Sequence, residues 1–151
     1  MITFLASFLI WIMFFGLFVL WIIDGRVKKE QALHTFLASV FAWVLSGMIK
    51  FFFPTVRPFV AWGMDPLTIT VPMDGSFPSI HTAVAFTIAV TLYLHDKALG
   101  SVYMVLAILV GGARILGNVH YPVDIFGGIV VGTLVALAVE KLHVASFIKK
   151  K

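Results

Sequence analysis

MITFLASFLIWIMFFGLFVLWII, residues 1–23, carries no charged side chain along its whole length. A helix that crosses a bilayer needs about 20 predominantly apolar residues, and this run supplies them. It lacks the strict alternation of a barrel strand and is too long for one. Four further runs follow, over residues 33–53, 79–95, 99–116 and 121–142, and the second is interrupted only by Lys50 near its end. No positive n-region precedes the first run, its apolar stretch is too long for a signal peptide, and no small-residue cleavage site follows it. It is therefore expected to be a retained helix. The reading is all-α: a polytopic membrane helix bundle of about five transmembrane helices, one domain over residues 1–151.

Composition agrees. Of the 151 residues, 61% are hydrophobic and 12% charged, and the mean hydropathy is +1.06. Soluble domains carry about 25% charged residues, so a soluble globular domain is excluded, and disorder with it. There is no cysteine, hence no disulfide, no thiolate metal site and no cysteine nucleophile. A net charge of +4 invites a nucleic-acid reading, but topology explains most of it. Eight of the eleven Lys and Arg fall in the 24–31 connection (Arg26, Lys28, Lys29), near residues 95–100 (Lys97) and at the C-terminal end (Lys141, Lys149, Lys150, Lys151). With five spans these share one side, and the positive-inside rule makes that side cytoplasmic. The N-terminus is then outside and the C-terminus inside, as expected for a plasma-membrane protein.

Lys50, Arg57 and Arg114 fall on the other side. Each alone could be an interfacial snorkelling residue. Three cations at one face, with no nearby excess of acids, fit an anion site better, because charge at membrane depth is costly and usually functional. Pro54 removes a backbone bond to Lys50 and ends or kinks the second helix. Pro58 biases Arg57 to an extended backbone. The two cations are thus presented around a bend. Trp62 suits an interfacial anchor, and 59–64 is too short to place on the membrane surface from its pattern. Pro78 and Ser79 signal a helix start, which aims free N–H groups near Ser79–His81 at the same face. His81 sits in that first turn; taken alone it is an interfacial histidine. His120 precedes the fifth helix, begun by Pro122. Asp124, four residues on, can reach one imidazole nitrogen and leave the other as a nucleophile or base. A metal half-site has the same spacing, but the outer-face neighbours are cations and histidine, with no Glu. Together these residues suit a phosphoryl group: cations and amides to neutralise its oxygens, one His to attack and one to protonate the leaving group.

The three segments together resemble the type 2 phosphatidic acid phosphatase superfamily of membrane phosphatases, whose pattern is Lys-x₆-Arg-Pro, Pro-Ser-Gly-His and Ser-Arg-x₅-His-x₃-Asp. Lys50, Arg57 and Pro58 match the first motif. Pro78, Ser79 and His81 match the second, with Ile80 at the Gly position. Arg114, His120 and Asp124 match the third, with Ala113 at the Ser position. The resemblance covers roughly residues 45–135. It implies His120 as nucleophile through a phosphohistidine, Asp124 orienting it, and His81 as general acid. Lys50, Arg57, Ser79, Arg114 and the Ile80 amide would bind phosphate. It also implies a lipid phosphate substrate and neither metal nor organic cofactor. Ile80 adds a β-branched side chain at a phosphate-facing turn, and Ala113 lacks a supporting hydroxyl. Vanadium haloperoxidases share the pocket but are larger and soluble.

The leading expectation is an enzyme acting on a lipid phosphate or diphosphate at the outer face. Undecaprenyl diphosphate, phosphatidic acid and phosphatidylglycerol phosphate are candidate substrates, and the motifs do not choose among tails. The competing reading is a non-catalytic anion or lipid-phosphate binding or transport protein, against which the His pair argues. Oligomeric state is not legible. His34, His95 and His143 match no motif and read as interfacial or packing residues. Gly128-x₃-Gly132 reads as close helix packing within the bundle in preference to a dimer seam.

Overall fold

The structure, a computed structural model, describes residues 1–23 and 29–149, with side chains described up to residue 142. The side chains of Arg26, Lys28, His143, Lys149, Lys150 and Lys151, used in the charge and histidine readings, lie outside what is described. Six helices follow in order: α1 (Ile2–Ile23), α2 (Lys29–Phe52), α3 (Pro58–Trp62), α4 (Ile80–His95), α5 (Lys97–Leu116) and α6 (Pro122–Lys149). Among them α1, α2, α5 and α6 are long and apolar enough to cross a membrane, and α4 is a shorter apolar helix.

Each long helix buries one stripe and leaves large apolar side chains on the other. In α1 the buried stripe is Ala6, Leu9, Ile10, Met13 and Leu17, while Phe4, Phe8, Ile12 and Phe15 face outward. A helix apolar all round is what a bilayer requires. In α2 the buried stripe is small or polar: Ala32, Thr35, Ala38, Ser39, Ala42 and Ser46, ending on Lys50. Small residues let backbones approach where lipid leaves little hydrophobic drive between helices. This stripe therefore leads the chain, turn by turn, to a buried cation.

The central helix is α4, packed against α1, α2, α5 and α6. Its 16 residues span ~24 Å at 1.5 Å per residue, short of a hydrocarbon core of about 30 Å. The deficit is tolerated because residues 82–89 are all buried in protein. Asp96 joins α4 to α5 in one residue, its Oδ1 accepting from the Leu99 amide at 3.0 Å. The Gly128-x₃-Gly132 pair meets α4 within the bundle, as the sequence reading expects: a Cβ at Gly132 would stand 2.3 Å from the Ala83 carbonyl oxygen. Thr87 Oγ1 donates across the same seam to Gly132 O at 3.1 Å. At one end of the bundle His34 and His95 converge on Glu140, at 3.7 and 3.4 Å, so these two histidines pack far along their helices from the motif residues.

At the other end, the long 53–79 connection is tied to the α5–α6 turn. The Phe59 amide donates to Asn118 O at 3.0 Å and the Leu67 amide to Gly117 O at 2.9 Å. Asn118 adopts φ 60°, a left-handed conformation that Asn tolerates better than most residues. The stretch at 59–64 resolves as the five-residue α3 and its left-handed C-cap Gly63.

Candidate active site

All of the predicted site residues lie at this end. Lys50 is in the last turn of α2 and Arg57 is the N-cap of α3, with ψ 152° as Pro58 demands. Lys50 Nζ donates to the carbonyls of Gly75 and Ser76. Arg57 is bonded all round: Nε to Asp74 O at 2.9 Å, Nη2 to Asp74 Oδ1 at 2.7 Å, and Nη1 to Val119 O at 2.8 Å. Nη1 also lies 3.3 Å from His120 Nε2. One guanidinium thus links the two connections that carry the first and third motifs.

His120 and Asp124 are both buried, and His120 Nδ1 faces Asp124 Oδ2 at 3.4 Å. With the proton on Nδ1, directed at the carboxylate, Nε2 keeps its lone pair and faces the Arg57 guanidinium. The His120 pKa is lowered to about 4. Burial is the largest cause, the Asp124 hydrogen bond opposes it, and the charges of Arg114, Arg57 and Lys50 add to it. The imidazole is therefore neutral near pH 7. Asp124 Oδ2 also accepts from Ser76 Oγ at 2.6 Å and from the Tyr121 amide at 2.7 Å.

Ser79 is the N-cap of α4. Its Oγ accepts from Thr82, and its own amide donates to Asp124 O at 3.0 Å. This bond docks the start of α4 onto the start of α6. The amides of Ile80 and His81 are at the first two helical positions, where no carbonyl of the helix can accept from them. The Ile80 side chain packs against the hydrophobic core, so its bulk goes into the bundle while its amide stays at the helix start. His81 is half-buried and lines a cavity of about 690 Å³ between α1, α2 and α4, whose other walls include Trp11, Phe14, Phe36 and Trp43. Arg114, in the last turn of α5, is 5% exposed; its Nη1 donates to Ala6 O of α1 at 2.9 Å. Its Nε is buried with no hydrogen-bond partner among the described residues, and an unpaired buried donor of this kind is a place for an anion. Ala113 is buried on the same turn.

Three contributors carry no sequence signal of their own: Ser76, Asp74 and the Ala6 carbonyl. Among the described residues no group of three or more His, Cys, Asp or Glu is placed to hold a metal.

Residues 31–147 match the PAP2 superfamily. The chain belongs to that superfamily. As a PAP2 protein it is 32% identical over 136 residues to a bacitracin transport permease protein, BcrC, of Bacillus licheniformis, covering 90% of this chain and 67% of the relative. It is 29% identical over 119 residues to the undecaprenyl-diphosphatase BcrC of Bacillus subtilis, covering 79% and 61%. The chain thus spans about two thirds of these relatives. Among solved structures, Aquifex aeolicus LpxE superposes with a TM-score of 0.70 at 33% identity, covering 84% of this chain and 77% of that one. A transmembrane PAP2-type phosphatidylglycerolphosphate phosphatase from Bacillus subtilis gives 0.64 at 25% identity, covering 89% and 67%. This PAP2 chain is an integral membrane protein.

Proposed function

We propose that this protein hydrolyses a lipid phosphate or diphosphate, with undecaprenyl diphosphate the first candidate. The observation that carries the reading is the pairing of His120 Nδ1 with Asp124, which leaves Nε2 beside Arg57. His120 Nε2 attacks phosphorus, the bond from phosphorus to the leaving oxygen breaks, and His81 delivers a proton to that oxygen. Water then attacks the phosphohistidine, giving its proton to His81, and the P–N bond breaks to release phosphate. Lys50, Arg57, Ser79, Arg114 and the Ile80 amide carry the negative charge on the non-bridging oxygens. No metal ion enters these steps.

The apolar cavity supports a lipid substrate. Volumes of 300–1,000 Å³ are usual for small-molecule sites, and this one is walled by aromatic residues of α1 and α2, with His81 on its α4 wall. A tail lying there would bring its phosphate to His81 and the α4 start. The named relatives include an undecaprenyl-diphosphatase and a phosphatidylglycerolphosphate phosphatase, which fits a site that recognises phosphate more than tail. The distribution of Lys and Arg along the sequence supports a site on the outer face and a cytoplasmic C-terminus. A transport reading, suggested by the name of the B. licheniformis relative, leaves a buried nucleophile–carboxylate pair without a use.

The test is phosphate release from a panel of undecaprenyl diphosphate, phosphatidic acid and phosphatidylglycerol phosphate by the purified full chain in detergent, with and without EDTA. Turnover is expected to survive EDTA and to vanish in His120→Ala. Turnover retained in that variant rejects the mechanism.

A further inference from the structure

Among the described residues, Asp74 is the one carboxylate that forms ion pairs with both cations of the first motif. Its Oδ1 accepts from Arg57 Nη2 at 2.7 Å, and its Oδ2 lies 3.7 Å from Lys50 Nζ. Exposure separates the partners: the Lys50 and Arg57 side chains are 5% and 4% exposed, that of Asp74 53%. The cations are fixed inside and the carboxylate sits at the mouth. Two adjacent buried cations without a counter-charge are costly. Asp74 supplies that charge before any substrate arrives.

We propose that Asp74 is a resident anion of the phosphate site, holding Lys50 and Arg57 until the substrate phosphate displaces it. The inference rests on the reading that these cations bind phosphate. The exchange needs only a side-chain movement. The segment's backbone is held separately, through the carbonyls of Asp74, Gly75 and Ser76 on Arg57 and Lys50 and through the Ser76 amide on Thr55 O. The carboxylate can swing into water at little cost, because half of it is already there. A phosphate brings more charge and more acceptor oxygens than a carboxylate, so it wins the exchange. Asp74 remains ionised throughout: burial favours its neutral form, but the Lys50 charge and the Arg57 hydrogen bond outweigh burial and hold its pKa below the ordinary carboxylate value. Phosphate affinity in the native protein is therefore the net of two competing anions, and Asp74 sets how readily product phosphate leaves.

The test is equilibrium dialysis of radiolabelled inorganic phosphate against the full chain in detergent, at fixed ionic strength, for the native protein, Asp74→Asn and Asp65→Asn. Asp65 is an exposed acid in the same connection and makes no ion pair among the described residues. Asp74→Asn is expected to tighten phosphate binding by roughly threefold or more, the upper range for a partly exposed ion pair, while Asp65→Asn leaves it unchanged. Weaker or unchanged binding in Asp74→Asn overturns the proposal, as does equal tightening in both variants, which would be a bulk charge effect. Asp74→Ser is measured alongside; failure of both Asp74 variants to fold would mean that the carboxylate builds the site, and also overturns it. Absence of binding in all proteins does the same. Because dialysis does not require turnover, a native protein that binds phosphate but hydrolyses no lipid phosphate rejects the phosphatase reading alone.

Discussion

Ser76 Oγ lies 2.6 Å from Asp124 Oδ2, closer than the 3.4 Å that separates the same oxygen from His120 Nδ1. The shortest of the side-chain bonds on the Asp124 carboxylate thus comes from outside the motif residues. Both partners are fully buried. Removing a hydrogen bond to a buried charged group costs about 1.5–3 kcal/mol. Ser76→Ala is expected to lower the melting temperature in detergent. It is also expected to lower kcat with KM little changed, because Asp124 loses the contact that fixes its rotation under His120. A variant with native kcat would show that the Tyr121 amide holds the carboxylate unaided.

The His120 imidazole gives a pH prediction with a definite sign. Free histidine titrates near 6.5; here burial and the neighbouring cations lower the value to about 4. If His120 is the nucleophile, as proposed, it must be unprotonated, so activity is present above the folded pKa and is lost as pH falls through it. The acid limb of kcat/KM, which reports the free enzyme, is expected near 4, not near 6.5. Removing one of the opposing charges, as in Arg57→Met, is expected to move that limb upward in whatever activity remains. A native limb at 6.5 would place the imidazole in a more solvated setting than the bundle provides.

The candidate site was legible wherever chemistry interrupted hydrophobicity. Lys50, Arg57 and Arg114 stand out in apolar surroundings, and Pro54, Pro58, Pro78 and Pro122 mark the ends of helices around them. The helix bounds were less legible where charge continues a helix past its apolar stretch. Helix α2 begins at Lys29, before the apolar run from residue 33, and α6 continues to Lys149. Polar residues are tolerated there because helix ends can project beyond the hydrocarbon. Ser76 and Asp74 were not legible as partners. They lie in an irregular connection with no periodicity, and their partners are 48 residues away in one case and 17 and 24 in the other. Such contacts are decided by how α2, α4 and α6 pack, which local pattern does not encode. The direction of the Ile80 side chain was not legible either: it packs against the core and borders the cavity beside His81.

Gly132 tests whether that packing positions the site. A Cβ there would meet the Ala83 carbonyl oxygen at 2.3 Å, backbone that cannot yield without moving a helix. Gly132→Ala is expected to destabilise the protein by about 1–3 kcal/mol, the range for overpacking. It is also expected to impair turnover, since α4 and α6 carry His81 and Asp124. Gly47→Ala is the control, because a Cβ at Gly47 meets nothing within 4 Å. Replacing Gly by Ala in an open helix interior is favourable by roughly 0.5–1 kcal/mol. Thermal melting of both variants in the same detergent checks the pair. Equal stability would mean that α6 can slide along α4 without loss.

The two histidines are distinguished by the leaving group. If His120 attacks phosphorus, every substrate needs it. His81, which stands at the start of α4 where the cavity meets the helix end, should matter in proportion to the leaving oxygen's need for a proton. A lipid alkoxide needs it most, a phosphate released from a diphosphate needs it less, and a nitrophenolate least. General acid catalysis contributes about 10²–10⁴-fold. His81→Ala is expected to lose most of that factor on a lipid monophosphate and far less on an aryl phosphate, whereas His120→Ala loses activity on both. The comparison belongs on the chemical step, in single-turnover bursts, because slow hydrolysis of the phosphohistidine would mask the difference in steady state. Equal losses for His81→Ala across the series would mean that its imidazole binds phosphate and donates no proton, and the acid would then have to be water or the substrate itself.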